Sequence, residues 1–277
     1  MIQYKATYIE LKFLSRRYTM ALFEGSFRST ALEMSTTISV YLPYDNDKYN
    51  VDKHPLRTLI LLHGLHGNHS EWFRKTNAER YAQAYNVAII CPDGNNSMYA
   101  DTTYGEKYFE FITSELPKVA HEMFGLPTDR EHLYIAGLSM GAYGALKAAL
   151  AYPDRFSKCG SFSAGTMLGN PRLTAFVGAN DKFANNAFAG MVTGAFGPEI
   201  VYENPNNIYY LAEQCDRSKM PELLITCGKQ DYLYHENVHF KAHLTELGLP
   251  FIWKEWEGVH DWKFWDESIK LALETFF

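Results

Sequence analysis

The run His132-Leu133-Tyr134-Ile135-Ala136-Gly137-Leu138-Ser139-Met140-Gly141-Ala142-Tyr143-Gly144-Ala145-Leu146 decides the fold. A β-prone apolar segment enters Gly137-Leu138-Ser139-Met140-Gly141, and an alanine-rich helical segment leaves it and continues to Leu150. Strand, sharp turn and helix are the setting of a G-x-S-x-G nucleophile elbow. A serine on so tight a turn occupies a sparsely populated backbone conformation, and flanking glycines leave room for it. Its hydroxyl then stands at the tip of a sheet. The free N–H groups of the helix's first turn lie beside it and favour developing negative charge. A plain Gly/Ser turn between strand and helix is the bland alternative.

Working outward, near-continuous apolar or β-prone runs recur at Thr36 to Leu42, Thr58 to Leu62, Val87 to Cys91, Leu133 to Ala136, Cys159 to Ser163, Leu223 to Cys227 and Phe251 to Glu255. Continuous apolarity marks strands covered on both faces, as in a parallel sheet between helical layers. Helical patterns fall between them at Asn77 to Tyr85, Glu106 to Met123, Ala142 to Ala151, His235 to Leu247 and Asp266 to Phe276. Pro117 should kink or reset the second of these. This alternation predicts an α/β fold, a mostly parallel doubly wound sheet flanked by helices, as one domain over residues 1–277. Residues 1–19 are a candidate N-terminal extension, with Met20 an alternative start. Residues 165–220 fit the alternation poorly and read as a modest lid or binding insertion.

With 47% hydrophobic and 21% charged residues the chain has the composition of an ordinary globule. A net charge of −6 offers no electrostatic footprint for nucleic acid, and no segment has the apolar length of a membrane span. The first residues lack a signal-peptide apolar region. Cys91, Cys159, Cys215 and Cys227 form no CxxC pair and read as reduced buried thiols, which points to the cytoplasm. A homo-oligomer is compatible with all of this.

A serine nucleophile needs a base to take its proton and an acid to orient that base. The chain supplies them in the order Ser, Asp, His, each after a strand. Asp231 lies in Gly228-Lys229-Gln230-Asp231 and His260 in Gly258-Val259-His260-Asp261. Both follow strand carboxyl ends, where open α/β sheets place their sites. Asp261 adjoins His260 and is poorly aimed at its ring. The competing roles are a turn aspartate and a histidine packed among Trp256, Trp262 and Trp265, which could equally wall a site. An oxyanion hole needs two backbone N–H groups, one from the residue after the nucleophile and one from an earlier loop. Met140 supplies the first and Leu65, in His63-Gly64-Leu65-His66-Gly67-Asn68, the second. Trp72, Tyr99, Phe183, Phe188 and Phe196 are candidate substrate-binding rings, or else core filling.

Together LLHGLHGNHSEW (Leu61 to Trp72), PDGNNSMYADT (Pro92 to Thr102), AGLSMGAYGAL (Ala136 to Leu146), FSAG (Phe162 to Gly165), CGKQDYLY (Cys227 to Tyr234) and GVHDWKFW (Gly258 to Trp265) resemble the esterase D family of α/β-hydrolases, especially its bacterial tributyrin and feruloyl esterase branch. The resemblance runs from about Met20 to the C-terminus. It implies Ser139, Asp231 and His260 as a triad, Leu65 and Met140 as oxyanion donors, and hydrolysis of small-molecule short-chain acyl esters without a metal or other cofactor. Acetyl and feruloyl groups are the candidate acyl parts. The S-formylglutathione hydrolases of this family resemble SMGGHGAL at the elbow, and Tyr143 in place of that histidine counts against the thioesterase alternative. Ala142 replaces a second glycine and is small enough to preserve the turn.

Rival classes remain. His235-Glu236-Asn237-Val238-His239 is a literal H-E-x-x-H, which on a helix places both imidazoles on one face as in zinc hydrolases. A metzincin's downstream Gly and His are missing and no third ligand is evident, so a solvated helix face is the default. His63, His66 and His69 recur every third residue, and loop packing explains them. A peptidase with the same triad would be expected to carry a larger cap. A non-catalytic binding module on this fold would be expected to lack a triad member.

Overall fold

The computed structural model of the chain describes residues 21–43, 55–173 and 186–277. Phe183, the candidate extension 1–19 and the alternative start Met20 lie outside the described residues. Eight strands form one sheet in the order β1-β2-β4-β3-β5-β6-β7-β8. They are β1 (Ala21–Arg28), β2 (Ser35–Leu42), β3 (Arg57–Leu62), β4 (Val87–Pro92), β5 (Leu133–Leu138), β6 (Lys158–Phe162), β7 (Glu222–Gly228) and β8 (Ile252–Trp256). From β4 to β8 in that order every pairing is parallel, and β1 and β2 are antiparallel additions at one edge. β4 and β5 are buried at every position, as continuous apolar runs require of strands covered on both faces. β1 differs. It is exposed on both faces, so it carries no alternation by which a sequence pattern could reveal it.

Register places the site. Leu62 pairs with Gly137, Leu138 with Phe162, and Gly228 with Trp256, so β3, β5, β7 and β8 end along one edge. The loops that follow them therefore meet in one place, at the carboxyl ends of a parallel sheet.

The helix expected over 106–123 is built in pieces: Tyr108–Glu110, a π turn Phe111–Glu115 and Leu116–Phe124. The wide turn falls just ahead of Pro117, which has no N–H to give to the carbonyl of Thr113. Arg155 fills that vacancy, its Nη1 donating to the Thr113 carbonyl at 3.0 Å.

Among its described residues the insertion includes the α-helices Asn186–Phe196 and Ile208–Gln214. It is tied to the body by hydrogen bonds. Tyr143 Oη donates to the Asn206 carbonyl at 2.6 Å, Lys147 Nζ to Asn206 Oδ1 at 2.5 Å, and the Thr103 N–H to the Gly194 carbonyl at 2.9 Å. Lys147 is buried, its ammonium 4.0 Å from the centre of the Phe109 ring. Tyr143 is buried and spent on the insertion, so the change from the thioesterase motif falls away from the site surface and carries no weight against thioester chemistry.

Candidate active site

Ser139 has φ 52° and ψ −115°, between β5 and the helix Met140–Ala151. A Cβ on Gly141 would fall on the carbonyl oxygens of Leu62 and His63, and one on Gly137 would meet the Gly141 backbone. Strand β3 and the elbow helix approach so closely that only glycine fits at either place. The turn is fixed further by the Ser139 N–H, which donates to the Phe162 carbonyl at 2.9 Å, and by the Ser139 carbonyl, which accepts from Tyr143 and Gly165. Such a conformation costs about 1–3 kcal/mol, and this packing holds it.

Ser139 Oγ lies 3.0 Å from His260 Nε2. His260 Nδ1 lies 2.8 Å from Asp231 Oδ2 and 3.1 Å from Oδ1. A carboxylate only accepts, so Nδ1 carries the proton and Nε2 is left to accept from the serine hydroxyl. The Asp231 side chain is fully buried and its Oδ1 also accepts from the Leu233 N–H at 2.8 Å. The His260 ring packs between Tyr232 (centroids 4.6 Å apart) and the edge of Trp265 (4.9 Å). Asp261 is occupied elsewhere. It caps the helix Trp262–Phe276 by accepting from the Phe264 N–H.

Neither the Leu65 nor the Met140 N–H donates a hydrogen bond among the described residues. The Leu65 group is aimed by its own peptide. The Gly64 carbonyl accepts from His63 Nδ1–H at 2.7 Å and from the Gly67 N–H at 3.2 Å. In a trans peptide the carbonyl and the following N–H point opposite ways, so anchoring one directs the other. His63 Nε2 in turn accepts from the Gly94 N–H at 2.8 Å, an arrangement only the neutral ring can make. Burial lowers the pKa of His63 and keeps it neutral.

Two of the expected substrate rings belong to this support and not to the site surface. Trp72 is fully buried, donates through Nε1 to the Leu62 carbonyl at 3.0 Å and packs edge-on against Trp262 and Phe162. Tyr99 is fully buried and donates to the His63 carbonyl at 3.1 Å. Phe196 packs edge-on against Tyr143 and lines neither cavity at Ser139. The expectations for Trp72 and Tyr99 are corrected, because each ring is buried and committed to packing behind the site, while Phe196 is half-buried. Phe188 does line a cavity there.

Among the described residues two cavities open on Ser139. One, of about 40 Å³, is lined by Leu65, Met140, Met167, Leu168, Leu173 and Phe188, together with Tyr232. The other, of about 490 Å³, is lined by His66, Glu71, Lys75, His260, Trp262 and Trp265, again with Tyr232. Lys75 pairs with Glu71 at 2.6 Å and lies 5.0 Å from the Trp262 ring centre. Sequence reading missed Tyr232, Glu71, Lys75 and the Leu/Met lining. Only Tyr232, adjacent to Asp231, carried a signal, and Trp262 and Trp265 do wall the site.

The H-E-x-x-H segment lies on the helix Tyr234–Glu246 with His235 and His239 exposed. Glu236 is paired with Arg172 at 3.1 Å. Among the described residues no three His, Cys, Asp or Glu side chains gather as metal ligands. His63, His66 and His69 do not converge either. His63 braces the loop, His66 faces the larger cavity, and His69 Nδ1 bonds Ser39 Oγ at 2.7 Å. No helix among the described residues is long and apolar enough to cross a membrane.

A parallel sheet with an elbow serine, an imidazole and a buried carboxylate converging at its carboxyl edge defines a serine hydrolase of the α/β-hydrolase fold. Known proteins agree. The sequence model of the Esterase family matches residues 29–276. An acetyl esterase from Caldicellulosiruptor saccharolyticus is 33% identical over 92% of this chain and 97% of its own length. Among solved structures, the Staphylococcus aureus fluorophosphonate-binding serine hydrolase F superposes with TM-score 0.79 at 33% identity, covering 93% of this chain and 98% of that one. An S-formylglutathione hydrolase from the same species superposes with TM-score 0.78 at 32% identity, covering 93% and 99%. The chain belongs to the Esterase family.

Proposed function

We propose that this esterase hydrolyses esters of short carboxylic acids with polar alcohols, through an acyl-enzyme formed on Ser139. One observation carries the reading: the Asp231–His260–Ser139 hydrogen-bond relay meets, at Ser139, a small apolar cavity on one side and, on the other, a larger cavity that mixes His66, Glu71 and Lys75 with Trp262 and Trp265. Ser139 attacks the ester carbonyl while His260 takes its proton, and Asp231 holds the ring in the required tautomer. The Leu65 and Met140 N–H groups receive the tetrahedral oxyanion. His260 then protonates the departing alcohol and activates water against the acyl-enzyme. A volume of about 40 Å³ holds roughly three water-sized groups, which supports acetyl to butyryl groups and disfavours a feruloyl ring. The His66, Glu71 and Lys75 groups of the larger cavity support a hydroxyl-rich or charged leaving group.

A glutathione thioester is the second reading, since the Glu71 and Lys75 groups of the larger cavity would receive a charged peptide thiol. We place the work in one domain, in the cytoplasm, where four buried unpaired cysteines are at home. The test is hydrolysis of p-nitrophenyl acetate, butyrate, octanoate and ferulate beside S-formylglutathione, by wild type and Ser139→Ala. Turnover that needs Ser139 and peaks at acetate or butyrate supports the reading. Undiminished turnover by Ser139→Ala refutes it, and a strong preference for S-formylglutathione selects the thioesterase.

A further inference from the structure

The two cavities share three lining residues: Leu65, Ser139 and Tyr232. The first two are the proposed oxyanion donor and nucleophile, where the ester carbonyl must sit. Tyr232 is the third, and the proposed mechanism gives it no task. Its backbone is fixed by the tight turn after β7. The Asp231 N–H donates to the Gly228 carbonyl, the Tyr234 N–H to the Asp231 carbonyl, and the Leu233 N–H to Asp231 Oδ1. The turn that presents the carboxylate to His260 therefore also sends the neighbouring side chain outward. Tyr232, 56% exposed as a residue, sets its ring against the His260 ring, while Leu233 beside it is buried in the apolar cavity wall. The ring stands where the small apolar chamber meets a larger chamber of mixed lining.

We propose that Tyr232 is a specificity-determining partition, a wall whose ring closes the acyl chamber from the leaving-group chamber and so sets the longest acyl group accepted. The proposal rests on the esterase reading above. An ester bound at Ser139 directs its acyl chain to the side of Met167, Leu168 and Phe188 and its alcohol to the side of Trp262 and Lys75. With the ring present, an acyl chain that outgrows the small chamber meets Tyr232. Without it, the chain passes over Leu65 into the larger chamber and lies on Trp262 and Trp265.

The experiment compares kcat/KM for p-nitrophenyl acetate, butyrate and octanoate in wild type, Tyr232→Ala and Tyr232→Phe. Each is paired with the same variant carrying Ser139→Ala, and far-UV circular dichroism confirms folding. The readout is the octanoate-to-acetate ratio, because loss of a ring beside His260 lowers turnover on every ester alike. The expected result is a rise of at least about tenfold in Tyr232→Ala, within the range that pocket contacts discriminate, with the wild-type ratio kept by Tyr232→Phe. An unchanged ratio in Tyr232→Ala overturns the partition, and so does an equal shift in Tyr232→Phe, which would assign the effect to the hydroxyl. Activity that survives Ser139→Ala removes the esterase reading and this proposal with it, an outcome the paired variants separate from the other two.

Discussion

Replacing His63 with leucine tests how the oxyanion loop is held. The ring makes two bonds, accepting from the Gly94 N–H at 2.8 Å and donating to the Gly64 carbonyl at 2.7 Å. Leucine makes neither. The Gly94 N–H is then buried without an acceptor, a loss of about 1–3 kcal/mol in stability. The Gly64 carbonyl keeps the Gly67 N–H at 3.2 Å, so its peptide loosens without flipping. Complete loss of one oxyanion donor costs about 100- to 1000-fold in rate. With one anchor remaining, kcat on p-nitrophenyl acetate should fall about 10- to 100-fold. KM should change little, because the oxyanion exists only beyond the ground state.

The pH dependence of stability gives a second signature of the same residue. Burial lowers the folded-state pKa of His63, so as pH falls below about 6.5 the unfolded chain takes up this proton first and the native state loses stability. The leucine variant lacks that slope. Steady-state kinetics with urea unfolding at pH 5 and 7 measures both effects. A kcat within twofold of wild type, or a loss confined to KM, would refute the claim that His63 aims the Leu65 N–H.

Gly141→Ala should lower unfolding stability by about 3 kcal/mol or more, because the added carbon meets backbone carbonyls that cannot move aside; a shift below 1 kcal/mol in urea would contradict the packing at the elbow. Asp231→Asn should leave the fold intact and reduce kcat by about 10⁴-fold through the wrong histidine tautomer; stopped-flow and steady-state assays on p-nitrophenyl acetate check it. Burial holds Lys147 at about 7 despite the nearby Asp101 charge. From there up to its unfolded value near 10.4 the unfolded chain binds the extra proton, so stability from this site rises with pH. Relative to Lys147→Met, wild type should gain up to about 1.4 kcal/mol per pH unit between pH 7 and 9, and parallel urea curves would count against it.

The parallel core was legible in the sequence because strands buried on both faces are written as unbroken apolar runs, and β4 and β5 are buried throughout. The site was legible because a nucleophile elbow constrains residue type at adjacent positions and because Asp231 and His260 each follow a strand. β1 was not legible, since a strand exposed on both faces leaves no pattern. The short helix Glu71–Lys75, which brings both its charged ends to the larger cavity, is too brief for a periodic signal. The aromatic residues mark the remaining limit. Trp72 and Tyr99 lie in site motifs and Phe188 in the insertion, yet of these three only Phe188 lines the small cavity. Which way a ring turns from its loop is decided by partners distant in sequence, as the Leu62 and His63 carbonyls decide it for Trp72 and Tyr99.

The central claim is that Ser139 is the nucleophile of an ester hydrolase, and covalent titration tests it most directly. The chain would be treated with a p-nitrophenyl alkylphosphonate, the released p-nitrophenol counted, residual activity on p-nitrophenyl acetate followed, and the adduct located by peptide mass mapping. The account predicts one equivalent bound, on Ser139, with activity lost in proportion to labelling. An adduct at another residue, or hydrolysis that persists after Ser139 is fully phosphonylated, would contradict it.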